Sequence, residues 1–235
     1  RGVVVASGCI ERPLLFENNE RPGVMQAECA LRLARTWGIL PGREAVFSGG
    51  HDQGLEAAID LSDLGLKVAA VADAREDGQD PLLVEALGAR RIPLLKGWVA
   101  QKAHGCTQLS KVTLSSLNGH FNRRLPCDLL VASAGLTPVT GPLTLAEAKL
   151  AYDGHTGLFL PQALPAWLFA AGRMLGLNDF EAVAASGRLA GLQADGRCGV
   201  DTSAPVRDCL SELESLPGPA RGCKFVSAPR SSGKT

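Results

Sequence analysis

The sequence predicts an α/β fold built around a parallel sheet, and three observations support this prediction. Strand patterns alternate with helix patterns between residues 44 and 95, as in right-handed βαβ crossovers. A glycine-rich turn follows the first of these strands. Apolar strands that end in small-residue turns recur as VVVASG, LLVASAG and LFAAGR. Together these features indicate a Rossmann-like parallel sheet.

Near its start the chain carries one strand pattern and one helix pattern. Residues 3–6 are β-branched or small and run into a Ser-Gly turn, which predicts a buried parallel strand. A helix is predicted to begin near Pro22, because proline is favourable at the first helical position. The apolar face of this helix recurs at helical spacing and comprises Val24, Ala27, Leu31 and Ala34.

The middle of the chain alternates regularly. The predicted segments are strands at 44–47, 67–73 and 91–95 and helices at 52–64 and 81–87. Residues 96–124 then change to short alternating stretches around an Asn-Gly turn signal, which predicts a small antiparallel meander.

The last part of the chain returns to apolar strands. The predicted segments are a buried strand within 128–135, an extended stretch at 150–161, a strand before Gly172 and a helix over 179–195. Beyond residue 196 the apolar periodicity is lost, which predicts a linker or disordered tail with one short helix possible at 210–216.

The composition excludes several classes of function. Basic and acidic residues balance at 24 each and aromatic residues make up 5%, so we expect neither nucleic acid nor a membrane surface as partner. No apolar run approaches the roughly 18 residues of a membrane span. The seven cysteines are scattered without a C-x-x-C pair, so we expect no metal site and no redox disulfide. A soluble cytoplasmic protein is the expectation.

The turn at residues 49–54 is the first candidate site. Its sequence GGHDQG is the dinucleotide fingerprint G-x-G-x-x-G with His51 in place of the middle glycine. In such units an acidic residue about 20 positions further on binds the ribose hydroxyls, and Asp73 follows Gly49 by 24 residues. The helix N-terminus would face the pyrophosphate. The candidate cofactor-binding residues here are Gly49, Gly50, Gly54 and Asp73.

Two residues of this turn weaken the prediction of a nucleotide. His51 carries a Cβ where glycine lets the backbone approach the pyrophosphate. Asp52 either places a negative charge beside the phosphates or acts as the N-cap of the helix, and we favour the N-cap. The turn is therefore predicted to be a Rossmann βα turn without a tightly bound nucleotide.

Three further glycines form the second group of candidates. Gly8, Gly135 and Gly172 each follow an apolar strand, and a small residue there lets a ribose, ribitol or pyrophosphate approach the backbone. The alternative for any one of them is close packing of strand against helix. The terminal SSGKT lacks the first glycine of a phosphate-binding loop, and no residue is predicted to be catalytic.

The order of these elements resembles a known family. An apolar strand with a glycine turn, an inserted Rossmann unit and two further such strands form the pattern of the pyridine nucleotide-disulfide oxidoreductase superfamily. More closely, ERPLLFENNERPGVM, LPCDLLVASAGLTPVTGPL and KLAYDGHTGLFLP resemble the α subunit of heterotetrameric sarcosine oxidase. The α subunits of opine oxidase and hydroxyproline dehydrogenase are similar enough to remain alternatives.

The resemblance implies cofactors and partners. In this family the complex oxidises the N-methyl group of sarcosine at a flavin of the β subunit, and electrons pass to FMN and oxygen. The resemblance implies FAD and FMN in the complex, with γ- and δ-type subunits as further partners. It also implies NAD in the α subunit, where relatives hold FAD, and a tetrahydrofolate-binding domain. The N-terminal fingerprint and the folate domain have no counterpart in this chain, which starts at Arg1, and we expect a piece of a longer protein.

One departure from the family pattern concerns the third glycine turn. FAD-binding relatives carry an aspartate directly after the last glycine of this element, whereas here Arg173 follows Gly172. Arginine cannot accept the hydrogen bond of a ribitol hydroxyl but suits a phosphate, which argues against classical FAD binding. The turn from Gly172 through Arg173 to Asn178 is predicted to line a nucleotide.

The domain organisation follows from the same resemblance. Residues 1–40 and 126–195 are predicted to be the remnant of a first FAD/NAD-binding domain, 41–125 an inserted Rossmann-like NAD(P)-binding domain, and 196–235 the tail. The predicted function is the nucleotide-binding part of a sarcosine oxidase-like α subunit, inactive by itself. The alternatives are an NAD(P)H-dependent flavin oxidoreductase that uses the unit from Gly49 to Asp73, and a scaffold for flavin-bearing partners.

Overall fold

The computed structural model describes residues 1–218, which form two compact units. Unit 1 comprises Arg1–Ile10 and residues 136–218, and unit 2 comprises Glu11–Gly135. The C-terminal residues 219–235, with the SSGKT motif and the end of the predicted tail, lie outside the described residues.

Short strands and helices follow one another along residues 1–218. The strands are β1 (Val3–Val5), β2 (Cys9–Glu11), β3 (Val24–Met25), β4 (Glu44–Gly49), β5 (Lys67–Asp73), β6 (Leu94–Lys96), β7 (Trp98–His104), β8 (Lys111–Ser116), β9 (Asn122–Pro126), β10 (Leu129–Ala132), β11 (Leu136–Pro138), β12 (Lys149–Asp153), β13 (Leu158–Ala163) and β14 (Leu168–Ala170). The helices are α1 (Ala27–Trp37), α2 (Asp52–Asp63), α3 (Pro81–Ala89), α4 (Gly141–Leu145), α5 (Phe180–Arg197) and α6 (Ser203–Ser215), with a 3₁₀ turn at Gly172–Leu175.

A five-stranded parallel sheet forms the centre of unit 2, in the order β3-β10-β4-β5-β6. Strand β10 pairs with β3 on one side and with β4 on the other. Residues 11–40 and 126–135 therefore lie in the same compact unit as the strands that were predicted to form an inserted domain. The observed boundaries differ from the predicted ones because these flanking strands are hydrogen-bonded into one sheet. The assignment of domains to cofactors stays a prediction.

Both faces of this sheet are covered. Helices α1, α2 and α3 pack on one face around Phe47, Leu55 and Leu61. The antiparallel meander β7-β8-β9 packs on the other face, where Val46 and Leu130 point in the opposite direction to their neighbours in the strands. A parallel sheet requires apolar cover on both sides, which explains the continuous apolar strand sequences. The predicted α/β fold with its parallel sheet and meander is confirmed.

Helix α1 begins later than predicted. Residues 24 and 25 are drawn into β3, so the helix starts at Ala27 and not near Pro22. The Glu11 carboxylate accepts hydrogen bonds from the backbone N–H of Ala27 at 3.0 Å and of Glu28 at 2.9 Å. Glu11, which lies well before the helix in the sequence, thus caps the helix. The negative charge of its carboxylate complements the positive end of the helix dipole.

Unit 1 contains short strands and a helical pair. Strands β1 and β14 form a two-stranded parallel sheet, and β12 and β13 form an antiparallel hairpin. The prediction of a buried first strand is wrong for its first residues, since Val3 and Val4 are 46% and 42% exposed. The reason is that β1 has only β14 as its hydrogen-bonded neighbour in the described part of the chain.

The C-terminal part of unit 1 is more ordered than predicted. Helix α5 starts at the N-cap Asp179, whose carboxylate accepts the N–H of Ala182 at 2.9 Å. Helix α6 includes most of the short helix that was considered possible at 210–216 and begins earlier, at Ser203. It packs against α5 with Cys209 buried and an ion pair between Arg188 and Glu212. Among residues 1–218, no helix combines the length and apolar character that membrane crossing requires.

Candidate functional site

A cleft with about 270 Å³ of empty space lies at the carboxyl ends of β4, β5 and β10, in front of the N-terminus of α2. In open parallel sheets this edge is where ligands bind. The structure brings four predicted site residues to the lining of this cleft, namely Gly49, Gly50, Gly54 and Asp73. The other lining residues are Ala27, Phe47, Ser48, His51, Leu55, Val71, Ala72, Val131 and Ser133.

Two glycines of unit 2 are explained by the protein's own structure. A Cβ on Gly49 would lie 2.8 Å from the carbonyl oxygen of Ser133, so only glycine lets β4 pass this backbone. Gly135 has a φ of +91°, which side-chain-bearing residues rarely adopt, and a Cβ there would contact Cδ2 of His51 at 3.6 Å. Packing and backbone conformation therefore account for both glycines without a ligand.

His51 is anchored inside the cleft. It occupies the N-cap of α2, so the predicted N-cap role of Asp52 is wrong. Its Nε2 lies 3.0 Å from Oγ of Ser133, whereas the buried Nδ1 has no hydrogen-bond partner among the described residues. Burial, and next the positive charge of Arg75, lower the pKa of His51 to about 4. The imidazole is therefore neutral at pH 7.

Asp73 is bound by another side chain of the protein. It is 1% exposed at the end of β5, and both of its carboxylate oxygens accept hydrogen bonds from Arg75. The backbone N–H of Arg75 reaches Oδ1 at 2.8 Å and Nη2 reaches Oδ2 at 2.8 Å, while Nε lies 3.1 and 3.3 Å from the two oxygens. The structure thus places Asp73 where it was predicted, but with its acceptors occupied.

Arg75 joins two acidic residues across the cleft edge, and we call Arg75 with Asp52 and Asp73 the Arg75 network. Its Nη2 also lies 2.8 Å from Oδ1 of Asp52, and its Nη1 lies 3.3 Å from the carbonyl oxygen of Gly78. Burial lowers the pKa of Arg75, but the hydrogen bonds to Asp73 and Asp52 outweigh burial and hold that pKa above its ordinary value. Arg75 was not among the predicted site residues, although a basic residue two positions after the strand-end aspartate was a visible signal.

The remaining predicted site residues lie in unit 1. Gly8 and Gly172 follow the carboxyl ends of the neighbouring parallel strands β1 and β14, with φ values of +70° and +81°. Among residues 1–218, no atom outside the adjacent residues lies within 4 Å of a Cβ built on Gly8, and the nearest atom to one built on Gly172 is Cγ1 of Val183 at 3.9 Å. Arg173 and Asn178 are exposed. These two turns therefore leave open space beside their glycines.

The predicted site residues thus form two groups, one in each unit. Gly49, Gly50, Gly54, Asp73 and Gly135 belong to unit 2, and Gly8, Gly172, Arg173 and Asn178 belong to unit 1. Within the described residues no group of three or more His, Cys, Asp or Glu side chains has an arrangement that suits a metal ion. Ser186 holds the backbone of the second turn, because its Oγ accepts the N–H of Gly172 at 2.9 Å.

Solved structures share this fold. No family model matches the chain. L-proline dehydrogenase from P. horikoshii superposes with a TM-score of 0.69 at 21% identity, over 94% of this chain and 39% of that one. Thioredoxin reductase from T. acidophilum superposes with a TM-score of 0.68 at 17% identity, over 85% of this chain and 66% of that one. The chain has the fold of the pyridine nucleotide-disulfide oxidoreductases.

Sequence comparison identifies more specific relatives within this class of oxidoreductase. The chain is 30% identical to sarcosine oxidase subunit alpha of Corynebacterium sp. (strain P-1) over 88% of its length, and 26% identical to that of Rhizobium meliloti (strain 1021) over 82%. It is a homologue of these α subunits, which confirms the resemblance seen in the sequence. The chain spans 22% of the length of the Corynebacterium subunit.

Proposed function

We propose that this chain is the nucleotide-binding part of the α subunit of a sarcosine oxidase-like complex. In this proposal the complex oxidatively demethylates a secondary amine, with sarcosine as the first candidate, and passes the electrons via flavin to oxygen. The observation that carries the proposal is the 30% identity to a sarcosine oxidase α subunit over 88% of the chain. The flavins FAD and FMN, tetrahydrofolate and the β-, γ- and δ-type subunits belong to the rest of the proposed complex.

Within the chain we assign the dinucleotide, NAD, to the turns of unit 1. Gly8 and Gly172 lie beyond the carboxyl ends of adjacent parallel strands, and the space beside both is open. Positive φ values at both positions suit a backbone that turns sharply in front of a pyrophosphate. Arg173 would supply positive charge to the phosphates, and Asn178 would offer hydrogen bonds to a ribose. NAD supplies a hydride-accepting nicotinamide when it is bound.

The geometry of unit 2 argues against the reductase alternative. An NAD(P)H-dependent flavin oxidoreductase would need Asp73 to accept hydrogen bonds from the ribose of its substrate. Both oxygens of this carboxylate already accept hydrogen bonds from Arg75. Unit 2 is therefore proposed to have a structural part in the subunit.

Calorimetric titration of the full chain with NAD, NADH and FAD tests the assignment to unit 1. We expect NAD to bind, and Arg173→Asp to weaken binding at least tenfold because it replaces attraction to the pyrophosphate by repulsion. Arg197→Asp is the matched control, since it reverses an exposed charge at the far end of α5, about 27 Å along the helix. Equal loss of affinity in both variants, or tighter binding of FAD than of NAD, would contradict the assignment.

Oxygen uptake by the assembled complex tests the reaction. The complex that contains this chain should consume oxygen with sarcosine as substrate, and the chain alone should not. Faster turnover of an opine or of hydroxyproline would favour the corresponding relatives. Oxidation of NADH by the complex in the absence of any amine would support the reductase alternative instead.

A further inference from the structure

We propose that Arg75 acts as a lock that excludes dinucleotides from the cleft of unit 2. The lock consists of the Arg75 network, in which one guanidinium occupies the acceptors that a ribose requires and holds a second carboxylate at the start of α2. This inference is independent of where the rest of the chain binds a nucleotide.

The ribose end of the cleft is closed by the hydrogen bonds that Asp73 accepts. Oδ1 accepts from the backbone N–H of Arg75 and Oδ2 accepts from Nη2, and the single Nε–H of Arg75 is shared between the two oxygens. Because Asp73 is 1% exposed, a ribose hydroxyl can reach this carboxylate only after the guanidinium has moved away.

The phosphate end of the cleft is closed by the position of a carboxylate and by shape. Arg75 holds the Asp52 carboxylate in the first turn of α2, at the helix N-terminus that would otherwise attract a pyrophosphate. The His51 ring, fixed to Ser133, also fills the position that the fingerprint reserves for glycine. Arg75 is the residue that the two closed ends share, since it contacts Asp73 at the end of β5 and Asp52 in the first turn of α2.

Removal of the lock should create a binding site that the natural chain lacks. We would compare the natural chain, Arg75→Met, and Arg75→Met combined with His51→Gly in calorimetric titrations with NADH. His51→Gly restores a glycine at the middle position of the fingerprint. We expect the double variant to bind one more NADH per chain than the natural protein, at least tenfold more tightly than any residual binding at this cleft.

The control is Arg90→Met, which removes another arginine of unit 2 that pairs with an aspartate, Asp63. This variant should gain no site. Folded Arg75→Met variants that gain no NADH site would overturn the proposal, and so would a natural chain whose NADH binding is weakened by Arg75→Met. Thermal unfolding of each variant shows whether it folds.

A second variant, Arg75→Gln, keeps the proposal testable if Arg75→Met does not fold. Arg75→Gln keeps a donor for Asp73 and removes the charge, so it should fold and gain a weaker NADH site. NADH should also raise the melting temperature of both Arg75 variants, because a ligand that binds only the folded state stabilises it. Failure of both variants to fold even in millimolar NADH would overturn the lock, since Arg75 would then be an essential structural residue.

Discussion

The two glycine-turn regions of this chain look alike in sequence and differ in what lies beside their glycines. In unit 2 a Cβ on Gly49 would lie 2.8 Å from a backbone carbonyl oxygen, so the protein itself fills the space that a side chain would need. In unit 1 the space beside Gly8 is open, and Gly172 has its nearest neighbour at 3.9 Å. A strand–glycine turn therefore becomes a ligand-site candidate only when no protein atom occupies the place of the absent Cβ.

The polar groups of the two regions differ in the same way. Asp73 of unit 2 is buried and fully hydrogen-bonded within the Arg75 network, whereas Arg173 and Asn178 of unit 1 are exposed. A buried ion pair with complete hydrogen bonding is costly to break, because removing one partner leaves an uncompensated charge. The polar groups of unit 2 therefore stabilise the fold, and those of unit 1 lie at the surface.

The largest predicted effect is the loss of stability in Asp73→Ala. This change leaves the guanidinium of Arg75, 13% exposed, without its main partner, and we expect a loss of about 3–5 kcal/mol in the free energy of unfolding of unit 2. Arg173→Ala in unit 1 should cost much less, since that side chain is exposed. Urea unfolding monitored by amide hydrogen exchange in each unit measures both. Equal stability of the two variants would remove the contrast between the regions.

Much of the fold was predictable because it depends on local patterns. The run from β4 through α2 to β5 combines apolar strands, a glycine turn and helical spacing, and each signal lies within the segment that it describes. The start of α1 was not predictable, because its cap is the carboxylate of Glu11 and its first predicted turn pairs with β10 instead. Both partners are distant in sequence.

The candidate site was predictable in position but not in chemistry. Sequence spacing was enough to predict that Gly49 and Asp73 lie at one cleft, since the carboxyl ends of parallel strands meet at one edge of the sheet. The hydrogen bonds from Arg75 to Asp73 depend on the conformation of the arginine side chain and on the position of Asp52 in α2. The periodicity of the sequence contains information about neither. Helix α6 was predicted only for its last part, at 210–216, and its first residues were predicted as linker.

The second prediction compares two glycines directly. Gly49→Ala should destabilise unit 2 by about 2–3 kcal/mol, because its Cβ forces a backbone carbonyl to move. Gly8→Ala should cost about 1 kcal/mol for its left-handed backbone, with no clash. For NAD affinity we expect the reverse order, with a loss in Gly8→Ala only. Unfolding and calorimetric titrations of the two variants provide both readouts, and a loss of NAD affinity in Gly49→Ala would place the nucleotide in unit 2.

The smallest predicted effect concerns the pH dependence of unit 2. The pKa of His51 is about 4 in the folded chain against an ordinary value of 6.5, so the unfolded chain binds more protons between these values. Stability is therefore complete above pH 6.5 and falls as the pH drops toward 4. At about 1.4 kcal/mol per pH unit the full shift corresponds to about 3 kcal/mol. We expect about 2 kcal/mol, because the residue keeps some contact with solvent.

His51→Gln should remove this part of the pH dependence, and Ser133→Ala tests its physical cause. Burial is the main reason for the low pKa, and a hydrogen bond with the backbone of Ser133 acts in the opposite direction. Ser133→Ala keeps this backbone group and deletes only the hydroxyl next to Nε2, so it should keep the loss of stability between pH 6.5 and 4. Urea unfolding at several pH values measures the slope. If Ser133→Ala flattens the slope as much as His51→Gln does, the hydrogen bond to the hydroxyl and not burial keeps the imidazole neutral, and a ligand that displaced Ser133 would then change the charge of the cleft.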